Sequence, residues 1–242
     1  MTKFELSTKY VGEFGPNDGG IDFYLRVNSL LQESFTVLDL GAGRGAWFDD
    51  DKCEIRRSLR LIRGKVHEVI GADVDDAVTR NNSVDRCIVF GEGGIREKLP
   101  ENSIDLIIAD YVLEHIADRN AFFKDINHCL RPGGWFCART PHKYSYVALL
   151  ASLVKNKFHK KVLEFIQPDR KSIDVFPTTY ELNTLTDVRK TFESWENRSF
   201  LFQPNPAYFF GSKVVYSLMS LFHKIFPSVV SANLFVFVKK PG

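Results

Sequence analysis

Five short apolar runs alternate with segments of helical spacing over the first 140 residues of the chain. The runs predict buried strands at Thr36–Leu40, His67–Ala72, Cys87–Phe90, Ile104–Ala109 and Trp135–Ala138. The intervening segments predict helices at Phe23–Gln32, Asp49–Arg63 and Ala121–Leu130. Strands that alternate with helices favour a doubly wound α/β fold built on a mostly parallel sheet.

Beyond residue 140 the pattern becomes less regular. It predicts helices at Thr184–Glu193 and Lys213–Ile225 and strands at Ser199–Gln203 and Asn233–Val238. We therefore interpret residues 1–242 as one domain with a lead-in at 1–35 and a core at 36–140. Two insertions complete it, a lid-like one at 141–180 and an apolar helical one at 204–231.

Composition narrows the class of protein. Hydrophobic residues make up 44% of the chain and charged residues 26%, which suits one sizeable core and disfavours disorder. The net charge of +2 is too small to indicate nucleic-acid binding. The four cysteines form no C-x-x-C pair and the six histidines show no metal-ligand spacing, so we expect free thiols, a cytoplasmic location and no metal. No apolar run reaches the roughly 18 residues that cross a bilayer.

Chemically suggestive residues follow the predicted strands. Glycines follow the first strand, Asp73 the second, Glu92 the third and Asp110 the fourth. Doubly wound sheets bind ligands beyond the carboxyl ends of their strands. The sequence thus predicts a ligand site at this edge of the sheet.

The stretch Val37–Gly45, VLDLGAGRG, carries glycines at alternate positions. Such a loop turns sharply, lets the backbone approach a ligand and presents the free N–H groups of the helix that follows. With Ala46 it also fits the G-x-G-x-x-A fingerprint of nicotinamide-dinucleotide sites, and Asp73 can accept the hydroxyls of either ligand's ribose. From these residues alone, both cofactors remain open.

Four pieces in order resemble the class I S-adenosylmethionine-dependent methyltransferases, of the type 11-like group. They are VLDLGAGRG, VIGADVD (Val69–Asp75), KLPENSIDLIIADYVLEHI (Lys98–Ile116) and LRPGGWF (Leu130–Phe136). A dehydrogenase is not expected to carry the last two. The resemblance covers roughly residues 35–140 and implies a Rossmann-like sheet of seven mostly parallel strands with an antiparallel last strand. It also implies S-adenosyl-L-methionine as cofactor, with S-adenosyl-L-homocysteine as product.

The resemblance assigns cofactor roles position by position. Asp39 and the glycine loop would hold the methionine end, and Asp73 the ribose. Glu92 would approach the adenine amino group, although the extra residues Gly93–Lys98 disturb its register, and Asp110 with Tyr111 would line the floor near the methyl group. The cofactor-binding residues so implied are Asp39, Gly41, Ala42, Gly43, Gly45, Asp73, Val74, Glu92, Asp110 and Tyr111.

A sulfonium methyl is already electrophilic, so the main task is to align the acceptor in a dry site. A general base is needed only for an acceptor such as a hydroxyl, an acidic carbon or a protonated amine. Our candidates are His142, His115 and Asp110, with helix packing as the alternative role for His115 and a loop position for His142. The arginines of the Asp49–Arg63 segment are expected to form a solvated face; they are Arg56, Arg57, Arg60 and Arg63.

The methyl acceptor is left open among small molecules, lipids and glycans. The stretch after the fourth strand lacks an N-P-P-Y or D-P-P-Y motif, which disfavours nucleic acid. The segment 204–231 is nearly apolar, with Lys213, His223 and Lys224 at intervals. It suits packing on the domain, a homodimer contact, or a peripheral contact with a membrane or lipid-linked acceptor. A protein or nucleic-acid methyltransferase, and a binding module without catalysis, are the alternative functions.

Overall fold

One mixed sheet runs through the centre of the computed structural model, which describes residues 9–146, 148, 178–206, 209–230 and 232–242. Its strands are β1 (Thr36–Leu40), β2 (Glu68–Asp73), β3 (Arg86–Val89), β4 (Ile104–Asp110), β5 (Leu130–Pro141), β6 (Glu196–Asn197), β7 (Phe200–Phe202) and β8 (Asn233–Lys239). They lie in the order β3-β2-β1-β4-β5-β8-β6, and β7 also pairs with β8. Strands β1 to β5 are parallel, and β8 is antiparallel to β5. The chain reverses its direction of travel across the sheet between β1 and β4, which is the switch point where such sheets bind ligands.

The sheet has eight strands in seven positions. β6 and β7 lie beside opposite halves of β8, with Glu196 opposite Lys239 and Phe202 opposite Asn233. Between them the amide of Phe237 donates to the Ser199 hydroxyl at 3.2 Å instead of to a backbone carbonyl. The predicted strand Ser199–Gln203 corresponds to β7, and β6 is an additional short strand before it. The sheet expected from the resemblance is confirmed, and only the strand count changes.

Six α-helices flank the sheet within the described residues. They are α1 (Gly19–Asn28), α2 (Trp47–Asp50), α3 (Glu54–Arg60), α4 (Arg119–Cys129), α5 (Leu185–Thr191) and α6 (Lys213–Ile225). Short 3₁₀ turns lie at Val11–Glu13, Asp76–Arg80, Ile95–Glu97, Leu113–His115 and Ser228–Val230. The single helix predicted at Asp49–Arg63 is wrong: it divides at Asp51, whose backbone is extended and whose carboxylate accepts from the Cys53 amide at 3.0 Å.

Alternate residues of each strand face opposite layers. Leu38, Ile70 and Phe136 pack with α4 and α5, whereas Val37, Val69 and Ile108 pack with α1. Both faces of the parallel sheet are therefore covered, which explains why its strands are continuous apolar runs. Residues Arg131–Gly134 form an irregularity inside β5, where the pairing of β4 with β5 shifts register between Ile104 and Leu106.

The first insertion lies mostly outside the described residues, since 147 and 149–177 belong to it. The second is described except at 207–208 and 231, and its predicted helix Lys213–Ile225 has the expected bounds. Among the helices described, none is both long and apolar enough to cross a membrane.

Candidate cofactor and acceptor site

The glycine loop after β1 has the left-handed backbone that its sequence predicts. Gly41, Gly43 and Gly45 have φ values of +73°, +52° and +69°. A Cβ atom on Gly41 would lie 2.4 Å from Val112 Cγ2, so the loop passes too close to the end of β4 for a side chain there. The amides of Gly41 and Ala42 donate to the carbonyl of Ala72 at 2.7 and 3.2 Å, which ties the loop to β2.

Asn81 supports the loop from beneath, and sequence reasoning missed it. Its side-chain amide donates to the carbonyls of Ala42 and Gly43, at 3.1 Å each. A Cβ on Gly45 would lie 2.3 Å from the Asn81 oxygen. Asn81 is buried in a connection after β2 with no periodic pattern, so only the fold reveals its role.

Asp73 closes β2 and faces the same loop. Its carboxylate is 9% exposed and accepts from the amides of Gly43 and Asp75 at 2.9 and 3.0 Å. These two donors fix the carboxylate while leaving further acceptor positions on each oxygen. The next residue, Val74, is 57% exposed.

The space in front of Gly43 is open. A Cβ on this residue would meet nothing within 4 Å, in contrast to Gly41 and Gly45. The loop is thus fixed on one side by β2 and Asn81 and free on the other. Together with the Asp73 carboxylate, this gap fits a ligand that carries vicinal hydroxyls and approaches the backbone closely.

Asp39 lies on β1 and lines a cavity with Tyr24, Trp47 and Arg60. Burial raises the pKa of Asp39 to about 7, because the attraction of Arg60 does not outweigh the loss of water and the repulsion from Asp110 and Asp73. The Trp47 indole N–H is buried and finds no acceptor among the residues described. This half-buried carboxylate is therefore suited to a cationic ligand group.

Asp110 closes β4 but is held in an ion pair. Arg139 of β5 donates to both of its carboxylate oxygens at 2.7 and 2.8 Å, and Tyr24 Oη donates at 3.2 Å. Burial alone would raise the pKa of Asp110, yet Arg139 and Arg60 hold it below its ordinary value. With its side chain 4% exposed and both oxygens paired, Asp110 is a poor proton acceptor, which corrects our expectation that it serves as a base.

Arg60 contradicts the expected solvated arginine face. Its guanidinium lies 3.6 Å from the Asp110 carboxylate and 4.6 Å from the centre of the Trp47 ring. Arg56 also turns inward, towards Asp18 and Asp51. The helical period predicts which arginines share a face of one continuous helix. The break at Asp51 changes the direction of α3, and the sequence pattern does not indicate that break.

Tyr111 follows Asp110 with a φ of +60°, an uncommon backbone for a bulky residue. Its ring is 43% exposed and lies under the Arg139 guanidinium at 4.8 Å, and its hydroxyl accepts from Asn233 at 3.2 Å. The strained backbone thus presents an aromatic ring at the carboxyl edge of β4.

Glu92 lies just beyond β3 and is exposed. The extra residues after it form a turn and a 3₁₀ helix that inserts Ile95 into the core. The glycine at 94, with a φ of +80°, passes against the Asp125 carboxylate. The insertion is therefore anchored in the core, and Glu92 stays at the carboxyl edge of the sheet.

His142 and His115 occupy different surroundings. His142 follows β5 and is 4% exposed; its Nδ1 lies 3.2 Å from the carbonyl oxygen of Val229 and 3.3 Å from the amide nitrogen of Tyr144. Burial lowers the pKa of His142, so the ring is neutral near pH 7. His115 is half-buried in the 3₁₀ turn after β4.

A buried polar network lies beside His142 and was not foreseen. The Thr140 hydroxyl donates to Glu114 at 2.7 Å and accepts from the Asn183 amide at 2.6 Å. Asn183 is fully buried, its Oδ1 finds no donor among the described residues, and burial raises the pKa of Glu114. The network ties the segment around Asn183 to the ends of β4 and β5.

Comparison with known proteins identifies the fold and family. A family model described as a methyltransferase domain matches residues 14–196. A curated Mycolicibacterium smegmatis protein, described as a probable S-adenosylmethionine-dependent methyltransferase, is 31% identical over 116 residues, which are 46% of this chain. The match spans 39% of that protein's length.

Solved structures share the fold at low sequence identity. A chain of the Haloferax volcanii complex formed with the Trm112 methyltransferase activator matches with a TM-score of 0.56 and 16% identity, covering 91% of this chain and 90% of that one. An Archaeoglobus fulgidus S-adenosylmethionine-dependent methyltransferase matches with a TM-score of 0.54 and 14% identity, covering 91% and 92%.

Proposed function

The chain belongs to the class I S-adenosylmethionine-dependent methyltransferases, and from this premise we propose that it transfers the methyl group of S-adenosylmethionine to a small-molecule, lipid-linked or glycan acceptor. The observation that carries the proposal is the open space before Gly43 with the fixed Asp73 carboxylate beside it. Family membership also decides between the two cofactors that the glycine fingerprint left open, in favour of S-adenosylmethionine.

The residues at this edge divide between three parts of the cofactor. Asp73 and Val74 would hold the ribose, and Glu92 would face the adenine. Asp39 and the loop of Gly41, Ala42, Gly43 and Gly45 would hold the methionine end, where the Asp39 carboxylate meets the ammonium group. The sulfonium supplies an electrophilic methyl when bound, and Tyr111 would shape the floor beside it while the Arg139–Asp110 pair holds that floor in place.

Protonation of Asp39 is expected to weaken cofactor binding. Since its pKa is about 7, S-adenosylmethionine affinity should rise about tenfold per pH unit from pH ~5.5 towards 7 and level off above it, as Asp39 ionises. Asp39→Asn should give a weaker affinity that no longer changes over this range. Calorimetry from about pH 5.5 to 8 measures this, with the exposed Asp50→Asn as control.

The same substitution tests the stability of the unliganded protein. A carboxyl pKa above its ordinary 3.8 means that the folded state prefers the protonated form, so stability declines as pH rises towards 7. Asp39→Asn should remove this decline in the free energy of unfolding.

A wild-type affinity for S-adenosylmethionine that does not change with pH would contradict the assignment of Asp39 to the cofactor.

His142 is our candidate base for an acceptor that must lose a proton. In the tautomer whose Nδ1–H donates to the Val229 carbonyl, Nε2 carries the lone pair for the acceptor. His142→Gln should lower kcat about 100-fold with such an acceptor and leave cofactor affinity unchanged. The wild-type rate should fall as pH drops through the His142 pKa, which lies below 6.5. His67→Gln, at the amino end of β2, is the control, and an unchanged kcat in His142→Gln would remove the residue from this role.

The experiment that tests the proposed function is a methyl-transfer screen. Protein and methyl-labelled S-adenosylmethionine are incubated with small-molecule, lipid and glycan fractions of a cell extract, and the label is followed. Transfer to one fraction names the acceptor class. Cofactor binding in calorimetry without transfer to any fraction would favour the binding module instead.

A further inference from the structure

Helix α6 presents a row of apolar side chains to solvent. Val214, Leu218, Leu221 and Ile225 are 69%, 62%, 53% and 67% exposed. Their spacing of four, three and four residues places them on one side of the helix, and we call them the α6 stripe. A continuous exposed row of large apolar residues is unusual on a soluble surface and marks an interaction site.

The opposite side of α6 fixes the helix to the domain. Tyr216 is buried there, and the Tyr146 ring lies 6.1 Å from Phe222 and 5.8 Å from His223. The side-chain amide of Gln203 donates to the His223 carbonyl at 2.7 Å. The α6 stripe therefore points outward from a helix that is held against the body of the protein.

The charged side chains of α6 have one sign. Lys213 and Lys224 are its lysines, and Lys213–Ile225 contains no arginine, aspartate or glutamate. Lys213 and Lys224 are exposed and lie along the same flank of the stripe, one at each end of α6. An apolar row bordered by lysines is the arrangement of helices that lie in the interface of an anionic membrane.

A second copy of the chain fits this surface less well. An antiparallel pairing of two α6 stripes would bring Lys213 of one copy near Lys224 of the other. The α6 helix itself carries no carboxylate that could pair with either lysine. Repulsion between like charges thus opposes self-association, while anionic lipid head groups supply the missing negative charge.

We propose that the α6 stripe docks this domain on an anionic lipid bilayer, with Lys213 and Lys224 at the head groups. After α6 the chain returns through the turn Ser228–Val230, and the Val229 carbonyl contacts the His142 ring. A docked α6 therefore lies next to the segment that follows β5, on the proposed acceptor side. The proposal rests on the surface alone and holds whether or not the acceptor is a lipid.

Vesicle flotation tests the proposal. Wild-type protein should float with vesicles of phosphatidylcholine and phosphatidylglycerol and much less with phosphatidylcholine alone. Leu221→Glu should reduce the vesicle-bound fraction at least tenfold, and replacing Lys213 and Lys224 by Gln should weaken binding to anionic vesicles roughly fivefold per lysine. Leu25→Glu on α1 is a matched control, since Leu25 and Leu221 are both 53% exposed, and it should float like wild type.

Calorimetry with S-adenosylmethionine in Leu221→Glu separates this proposal from the proposed function, because the cofactor affinity should match wild type. No flotation of the wild-type protein would overturn the membrane proposal, as would equal flotation of Leu221→Glu and Leu25→Glu. It is also overturned if light scattering shows a wild-type dimer that Leu221→Glu converts to a monomer while neither protein floats, since the stripe would then bind a second copy.

Discussion

Gly43→Leu is expected to abolish S-adenosylmethionine binding in a protein that still folds. A Cβ on Gly43 would have no protein atom within 4 Å, so a leucine side chain can leave the loop here and occupy the volume proposed for the cofactor. The affinity should fall about 100-fold or more, which corresponds to ~2.8 kcal/mol of binding free energy. Isothermal titration calorimetry measures the loss directly.

Gly64→Leu is the matched control for backbone strain. Gly64 also has a positive φ, +80°, and nothing within 4 Å of its Cβ position. It precedes the amino end of β2, whereas Asp73 and the proposed site lie at the carboxyl end of that strand. Both variants place a leucine in the left-handed region of the backbone, so each should lose about 1–2 kcal/mol of its free energy of unfolding. Undiminished cofactor affinity in Gly43→Leu would show that the site lies elsewhere.

Arg139→Leu is expected to cause the largest loss of stability. It removes both hydrogen bonds from Arg139 to Asp110 and leaves a carboxylate in a site where the side chain is only 4% exposed. Breaking a buried pair on one side costs about 3–5 kcal/mol. In a domain of this size, that loss lowers the midpoint of thermal unfolding by roughly 6–20 °C.

The loss should depend on pH in a defined direction. The pKa of Asp110 is below its ordinary value in the folded protein, so the pair contributes stability above the unfolded pKa of about 4 and loses it as pH falls further. The difference between wild type and Arg139→Leu should therefore be largest at neutral pH and shrink in acid.

Arg131→Leu is the control for the chemistry of the substitution. Arg131 also contacts an aspartate, Asp105, at 2.7 Å, but its side chain is 49% exposed. An exposed pair contributes at most about 1 kcal/mol, so this variant should unfold close to wild type. Equal destabilisation by the two substitutions would contradict the importance of burial for the Arg139–Asp110 pair.

The positions of the strands along the chain and the glycine loop were predictable because they depend on local rules. Buried parallel strands must be apolar on both faces, and a loop such as Gly41–Gly45 needs residues that tolerate positive φ. The position of Asp73 was predictable for a related reason, since a polar residue at the end of a buried strand lies at the carboxyl edge of the sheet. The helix Lys213–Ile225 was equally clear from its own period.

The partners of the polar side chains were not predictable. Arg139 lies in an apolar strand, Arg60 in a charged helix and Tyr24 in another helix, and all three meet at Asp110. Their sequence separations are large, and no periodicity marks a contact between different elements. The same holds for the hydrogen bond from Asn81 to the glycine loop and for the contact between the Val229 carbonyl and the His142 ring.

The sequence by itself determined the layered α/β sheet, the family and the edge where the cofactor would bind. The sheet and the glycine loop follow from hydrophobic period and from backbone freedom at glycine, which act over a few residues, whereas the family follows from the resemblance of four ordered motifs. Only the tertiary structure decided that Asp110 is paired rather than poised as a base, that Arg60 faces inward, and that the apolar side of α6 points to solvent. Those outcomes depend on which distant side chains share a buried space, and burial sets both the cost of a charge and the exposure of an apolar face.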